Sequence, residues 1–167
     1  YSDPTLTHVT ISGNTASFGG GGMRLYSSNP ILTHVTISNN QTDFGGGGMY
    51  LTYSNPTLTY VTINANAAED EGGGMYLFAS NPILTHVTIS DNIASDVGGG
   101  MRLYAESFPI LINSIIVDNS PESFYFDLLS YPWITYSNIL GGWEGEGNID
   151  SNPLFTDPEN DNYTLQE

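Results

Sequence analysis

Apolar and polar residues alternate in short segments that return along the chain with a period of 26 residues. The segments "HVTIS" and "MRLY" both alternate, and a third apolar piece, "PTL", belongs to the same unit. Alternation with a period of two predicts short β-strands whose Val, Ile, Met and Leu side chains face a core. No segment has apolar residues at helical spacing, so the pattern predicts an all-β protein with three short strands per repeat.

Equivalent residues occupy the same position of every repeat. The prolines that mark it are Pro4, Pro30, Pro56, Pro82, Pro109 and Pro132. Ten residues after them comes an asparagine column, Asn14, Asn40, Asn66, Asn92 and Asn119. Such columns predict a parallel β-helix of about six coils, because a solenoid stacks like positions at the strand spacing of roughly 4.8 Å. Apolar ladders then fill the inside, and the asparagine amides bridge one coil to the next.

A run of glycines precedes each Met-x-Leu strand, first in "FGGGGMRLY" at residues 18–26. One such run alone would suggest a phosphate-binding loop, but that loop needs a following helix, and none is predicted. A run that recurs at a fixed period is typical of a tight turn, because glycine permits positive φ and close approach of neighbouring coils. We therefore interpret the glycines as a structural turn column.

The last coils depart from the regular pattern, because outward positions become apolar at Ile115, Val117 and Leu140. Something must cover this patch. The apolar residues of the C-terminal stretch that are available for it are Leu154, Phe155, Tyr163 and Leu165. We expect residues 1–150 to form the coils and residues 151–167 to fold back as a cap over coils five and six, within the same domain.

Three sequence features together resemble a known family. They are the unit "NPxLxHVTISxN", the turn "GGGM" and the ending "SNPLFTDPENDNYTLQ" at residues 151–166. The chain is similar in these to the right-handed parallel β-helix repeat proteins of the pectate-lyase-like superfamily, especially the secreted and cell-surface ones. The resemblance implies a right-handed β-helix, a fold that hosts lyases, hydrolases, adhesins and spacers, so it does not by itself assign a function.

Composition narrows the class of partner. The formal net charge is −16, with no lysine, two arginines and no cysteine. Such a surface repels nucleic acid and anionic lipid, and no apolar run is long enough for membrane insertion. The abundance of Gly, Asn, Thr, Ser and Tyr favours an extracellular or cell-surface protein. The chain starts inside a repeat, so we expect a processed chain or a fragment.

The outward positions of the "MRLY" strands carry both arginines and many aromatic residues. We predict a binding face for a carbohydrate or a protein, because aromatic plates flanked by guanidinium groups suit a polysaccharide that bears carboxylates. Simple β-propensity of aromatic residues is the alternative. The residues of this face are Arg24, Tyr26, Tyr50, Tyr76, Phe78, Arg102 and Tyr104.

Acidic residues recur at nearly the same position of the coil. Stacking would bring their carboxylates close together, and calcium would relieve the repulsion, so calcium is the one cofactor that the sequence suggests. A solvated acidic edge is the alternative. The residues are Asp43, Glu69, Asp70, Glu71 and Asp96. A further column, with His8, His34, Tyr60 and His86, predicts a stacked ladder at a bend rather than a metal site.

The regularity of coils one to four favours a non-catalytic protein, because catalysis needs a unique constellation and no Asp or Glu lies on their predicted strands. We predict a structural or adhesive module that packs copies end to end into a fibre or surface layer, since Leu6, Val9 and Ile11 of the first coil lack a predicted cover. The alternatives are binding or degradation of a polysaccharide, and ice binding through the Thr/Ser face that begins with Thr10 and Ser12.

Overall fold

The computed structural model describes residues 2–158 and 162–166. The described chain winds into a parallel β-solenoid with four sheets along its axis, and it ends in a two-stranded antiparallel hairpin. All strand pairs of the solenoid are in register, as in the pairing of Leu6 with Leu32 and of Ile63 with Ile89. Every coil therefore places the same position of the repeat above its equivalent in the coil before.

The first two sheets have six strands each. Sheet one contains β1 (Thr5–Thr7), β5 (Ile31–Thr33), β9 (Thr57–Thr59), β13 (Ile83–Thr85), β17 (Ile110–Ile112) and β20 (Trp133–Thr135). Sheet two contains β2 (Thr10–Ser12), β6 (Thr36–Ser38), β10 (Thr62–Asn64), β14 (Thr88–Ser90), β18 (Ile115–Val117) and β21 (Asn138–Ile139).

The other two sheets are shorter. Sheet three contains β3 (Thr15–Ala16), β7 (Gln41–Thr42), β11 (Ala67–Ala68) and β15 (Ile93–Ala94). Sheet four contains β4 (Met23–Tyr26), β8 (Met49–Thr52), β12 (Met75–Phe78), β16 (Met101–Tyr104) and β19 (Phe124–Phe126). The terminal hairpin pairs β22 (Phe155–Asp157) with β23 (Asn162–Leu165).

The predicted all-β parallel solenoid is confirmed, with two differences in detail. The described chain makes about five full coils, and a sixth coil contributes strands only to sheets one and two. The first four coils also contain a fourth, two-residue strand, which belongs to sheet three. Strands of two residues are too short to produce a visible alternation, so the sequence pattern gave no signal for them.

A sharp corner stands at the first residue of the segment "HVTIS", so the strand predicted there is shorter than the alternating pattern indicates. His8 has a φ of 54°, and β1 ends before it while β2 begins after it. The equivalent residues of the other coils also have positive φ, which is costly for residues other than glycine. They stack on one another: His8 on His34 at 4.9 Å between ring centroids, His34 on Tyr60 at 5.0 Å, and Tyr60 on His86 at 4.8 Å.

The core consists of stacked apolar columns, one from each sheet that faces inward. Leu58, Ile63, Met75 and Leu77 are fully buried, and so are their equivalents in the neighbouring coils. Complete burial of a Leu or Ile side chain stabilises the fold by about 1.5–3 kcal/mol. Because each coil alone could not enclose these side chains, the stacking of coils supplies the core.

The asparagine ladder forms coil by coil. The Nδ2 of Asn40 donates to Oδ1 of Asn66 at 3.0 Å, and the Nδ2 of Asn66 donates to Oδ1 of Asn92 at 3.0 Å. Each Oδ1 also accepts the backbone N–H of the asparagine one coil earlier, at 3.0 Å for Asn66 and Asn40. The ladder begins at Asn14 and ends at Asn119. It therefore satisfies buried backbone and side-chain groups where the chain turns from sheet two to sheet three.

The glycine turn column is present in the first four coils, and coil two shows at two positions why glycine is required. Gly46 has a φ of 68°, and a Cβ atom there would clash with the carbonyl oxygen of Met49. At Gly47 a Cβ atom would clash with the backbone of the next coil, at the carbonyl oxygen of Gly73. The N–H of Gly47 donates to the carbonyl oxygen of Gly72 at 3.2 Å, so the turns of successive coils are hydrogen-bonded to each other.

The C-terminal segment folds back along sheet two and reaches further than the sequence predicts. Ser151 is tied to Asn138 by a backbone N–H bond of 3.1 Å. The Tyr163 hydroxyl accepts from Nδ2 of Asn64 and donates to Asp91, both at 3.2 Å, so the hairpin contacts coils three and four. Leu165 was also predicted to cover this patch, but its side chain lies outside the described part of the structure.

This return segment changes two expectations from the sequence. Val117 is buried, but Leu140 remains 49% exposed, so the apolar patch is covered only in part. Ser38 and Ser90 are buried, and Tyr163 lies against the same face. The Thr/Ser face, which the alternative of ice binding requires to be open, is therefore buried at its serine column.

Candidate functional site

A stripe of four aromatic rings, three of them exposed and Phe78 half-buried, runs up one edge of sheet four. We define the aromatic stripe as Tyr26, Tyr53, Phe78 and Tyr104. Tyr26 is 60% exposed and Tyr53 is 53% exposed. The rings form a chain of close contacts from coil one to coil four, with centroid separations of 6.2, 5.6 and 5.7 Å. Two of the three contacts are edge-to-face and the third is tilted, so the rings pack against one another along the stripe.

Tyr53 belongs to this stripe although the sequence analysis did not assign it there. It lies in the turn after β8, with a φ of 51°, at a position where the other coils carry Ser27, Ala79 and Ala105. Its ring bridges Tyr26 and Phe78, replacing the contact that Thr52 cannot make. The sequence did contain a signal for this role of Tyr53, because the equivalent turn residues of the other coils are small.

The other outward column of sheet four is covered. Tyr50 and Tyr76 stack with 4.8 Å between ring centroids, and Phe44 packs on both rings. Tyr76 is only 8% exposed, and burial raises its pKa to about 12. Gly45 makes room for the Tyr76 ring, since a Cβ atom at Gly45 would lie 2.8 Å from that ring.

Arg102 is also buried, and its charge is already paired. Its Nε donates to the Glu71 carboxylate at 3.0 Å, and a second donor, Nη1, reaches the carbonyl oxygen of Leu103 at 2.7 Å. The guanidinium lies between two rings, 5.2 Å from the centroid of Tyr104 and 5.0 Å from that of Tyr125. Arg102 therefore clamps the glycine turn of one coil to the strand of the next.

The predicted binding face is therefore divided by the structure. Tyr76 and Arg102 were wrongly assigned to an exposed surface, because Phe44 and Glu71 fold over them from the preceding turns. Arg24 is exposed, donates to the carbonyl oxygen of Phe18 at 3.1 Å and lies 5.4 Å from the Tyr50 centroid. What remains open for a ligand is the aromatic stripe, with Arg24 beside it.

The acidic edge is not a single cluster. Burial and the neighbouring charges of Glu71 and Asp96 raise the pKa of Asp70, whose side chain is within hydrogen-bonding reach of Asp96. Glu71 is committed to Arg102, while Asp43 and Glu69 are exposed. Among the residues that the structure describes, no three acidic or histidine side chains are grouped closely enough to hold a metal ion. Calcium binding stays a prediction, and a calcium-dependent rise in Tm would support it.

The comparisons with known proteins agree with this architecture. A sequence model described as "Right handed beta helix region" matches residues 2–141. The chain belongs to the right-handed β-helix family. This is consistent with the resemblance to the pectate-lyase-like superfamily. No curated protein and no solved structure gave a match to the chain.

Members of the right-handed β-helix family include enzymes and non-enzymes. The function of this chain therefore has to be inferred from its surface residues and not from its fold. In the described part of this β-helix, no helix has the length and apolar character needed to cross a lipid bilayer.

Proposed function

We propose that this β-helix is a non-catalytic, extracellular binding module that holds a polysaccharide chain along the aromatic stripe. The observation that carries the proposal is the continuous row of four rings from Tyr26 in coil one to Tyr104 in coil four, of which three are exposed and Phe78 is half-buried. Sugar rings have apolar C–H faces that pack on aromatic side chains, and a row of rings suits an extended chain. Exposed apolar rows of this kind are typical of interaction surfaces.

The surroundings of the stripe favour a neutral polysaccharide over an acidic one. The formal net charge of the protein is −16, so a polyanion is repelled at long range. Acidic polysaccharide was suggested by two arginines, but the Arg102 guanidinium is buried and paired with Glu71. Arg24 alone lies at the exposed edge of the stripe, and one charge does not offset the field of the whole surface.

The proposal that the module is non-catalytic is supported by the arrangement of two carboxylates at the acidic edge. Asp70 and Asp96 lie within hydrogen-bonding reach of each other. Glycosidases need their two carboxyl groups about 5–5.5 Å apart for retention, or about 6.5–9.5 Å apart for inversion of configuration. A pair in direct contact fits neither geometry, and it lies at the turn beside Arg102 rather than along the stripe.

The stripe is tested by affinity electrophoresis through gels that contain neutral or acidic polysaccharides. We expect the wild type to be retarded by a neutral polysaccharide. Tyr26→Ala and Tyr53→Ala are each expected to weaken binding by about 1 kcal/mol, roughly fivefold, because each removes one stacking ring. Tyr60→Ala is the matched control, since Tyr60 is equally exposed, at 51%, on a different corner of the coil.

Retardation that Tyr26→Ala and Tyr53→Ala leave unchanged would contradict the proposed stripe. The same conclusion follows if only acidic polysaccharides retard the protein. End-to-end packing of copies into a fibre stays a separate prediction, and sedimentation velocity at increasing concentration checks it.

A further inference from the structure

A second aromatic site lies on the sixth coil, away from the aromatic stripe. A cavity of about 370 Å³ opens between β20 and the loop that follows β21. Three aromatic residues and two glutamates line it: Tyr131, Trp133, Trp143, Glu144 and Glu146. We refer to these five residues as the aromatic cage.

The rings of the aromatic cage are not stacked parallel to one another. Tyr131 and Trp133 are nearly perpendicular, at 86°, with 6.4 Å between centroids. Tyr131 and Trp143 are tilted by 39°, with 5.6 Å between centroids. Rings at such angles form separate walls around a central space, whereas parallel stacked rings would fill it. The arrangement therefore leaves room for a compact group that contacts several ring surfaces at once.

The cage is held in place by the stacking of the β-helix. The loop that carries Glu146 is bonded to the last coil, where the Tyr136 N–H donates to the Glu146 carbonyl oxygen at 2.7 Å. The Tyr136 hydroxyl donates to the Glu146 carboxylate. Asn148 secures the same loop by donating to the Ile134 carbonyl oxygen at 2.9 Å. Trp143 packs on Phe124 at 5.2 Å between centroids. A preformed site of this kind loses little entropy when it binds a ligand.

The charge of the cavity has one sign. Glu144 and Glu146 are exposed at its rim, and the lining contains no basic residue. The two arginines of the chain, Arg24 and Arg102, lie on sheet four in coils one and four. Cations are attracted to the faces of Trp and Tyr rings, and nearby carboxylates strengthen that attraction.

We propose that the aromatic cage binds a quaternary ammonium group, such as the trimethylammonium group of choline. A hard metal cation would require several oxygen ligands, whereas the cage offers ring surfaces. A trimethylammonium group combines an apolar surface for the rings with a positive charge for the glutamates. Recognition of quaternary ammonium by such cages is a general use of cation–π attraction. This site is independent of the polysaccharide proposed for the stripe.

Intrinsic tryptophan fluorescence reports on this site alone, because the two tryptophans of the chain are Trp133 and Trp143. Titration with choline chloride, at constant ionic strength, is expected to give a saturable change with a Kd on the order of 1 mM or below. The neutral control ligand is 3,3-dimethylbutan-1-ol, in which carbon replaces the charged nitrogen. It is expected to bind about tenfold more weakly or worse, because the cation–π attraction is lost.

Two variants sharpen the test. Trp133→Leu removes one wall and leaves Trp143 as the reporter, and Glu144→Gln removes one charge without changing the shape. We expect Trp133→Leu to weaken choline binding by about tenfold, and Glu144→Gln by a few-fold. Glu69→Gln, an exposed acidic residue of a distant turn, is the matched control and should leave the affinity unchanged. Circular dichroism verifies that each variant is folded.

The proposal is overturned if the neutral isostere binds as well as choline. It is equally overturned if a methyl glucoside changes the fluorescence and choline does not, since the site would then be a sugar site. Vesicles of phosphatidylcholine identify the source of the ammonium group. Binding to vesicles as well as to choline supports a lipid headgroup, and binding to choline alone supports a soluble cation.

Discussion

At the residue scale, the asparagine ladder turns one side chain per coil into a support for the backbone. Asn66 accepts two hydrogen bonds from Asn40 and donates to Asn92 and to the Ile37 carbonyl oxygen. Asn66 is fully buried, so water cannot replace these partners. Loss of the Asn66 amide would therefore leave several buried groups of neighbouring coils without a hydrogen-bond partner.

We expect Asn66→Ala to lower the free energy of unfolding by about 3 kcal/mol, because it leaves several buried polar groups without a partner. Asn14→Ala is the matched control, since Asn14 occupies the same column but is exposed. It should cost less than about 1 kcal/mol. Urea denaturation of both variants measures the difference, and equal losses would contradict the role given to the buried part of the ladder.

Asp70 gives a pH-dependent prediction. Its pKa in the folded protein is raised above the ordinary 3.8 by burial and by Glu71 and Asp96. The folded protein therefore binds the Asp70 proton more tightly than the unfolded chain does. The contribution of the protonated Asp70 side chain to the free energy of unfolding is fully present below pH 3.8, and it is lost as the pH rises through the folded-state pKa. At neutral pH, Asp70→Asn should stabilise the protein by about 0.5 kcal/mol, because like charges in the turns of adjacent coils repel each other.

The stabilising effect of Asp70→Asn should shrink as the pH falls towards 3.8, where the wild-type carboxyl group is itself neutral. Thermal melts across this pH range measure it. Glu69→Gln removes the same charge from the preceding, exposed residue and should show a smaller effect. If the stabilisation by Asp70→Asn instead increased as the pH falls, the raised pKa of Asp70 would be contradicted.

At the scale of the elements, the sequence pattern was sufficient to predict the stacked core columns. It was insufficient to predict which side chains cover the outward residues of the strands. Alternation identified the inward Leu, Ile and Met of each coil, because side-chain direction in a strand follows directly from spacing. The stacked bend at His8 was predicted from its column, whereas the positive φ that makes the bend leaves no signal in an alternating pattern. The burial of Tyr76 depends on Phe44, which lies one coil earlier in a turn without regular structure.

The terminal hairpin is the element whose position the sequence predicted least well. Its apolar residues indicated that it would fold back, but the distance it travels depends on the partners of Tyr163, which are Asn64 and Asp91. These hydrogen bonds join residues far apart in the chain. Such contacts leave no periodic signal in the sequence, so they could not be predicted from its pattern.

Removal of the hairpin should weaken the solenoid. Deletion of residues 151–167 uncovers part of the patch around Val117 and the buried face of sheet two. We expect a lower Tm and stronger binding of a hydrophobic dye. Tyr163→Phe is the subtler variant and should cost about 1 kcal/mol through the loss of two hydrogen bonds. An unchanged Tm after the deletion would show that the hairpin does not stabilise the coils.

At the scale of the whole molecule, different faces of the β-helix carry different structural features. Sheet four carries the paired Arg102 and the aromatic stripe, sheet two receives the return segment, and the sixth coil carries the aromatic cage. A strongly acidic surface surrounds these sites, with a formal net charge of −16. The rigidity of a stacked solenoid keeps the rings of the stripe at fixed spacings, which is what recognition of an extended chain requires.

We propose the aromatic stripe as the ligand-binding surface of this β-helix. Backbone and aromatic-ring NMR of the 18.0 kDa chain during titration with a neutral oligosaccharide tests it most directly. The account predicts saturable shift changes centred on Tyr26, Tyr53, Phe78 and Tyr104, with little change at the buried Tyr76 ring. Shift changes confined to another face, or no change with any neutral oligosaccharide that is tested, would contradict it.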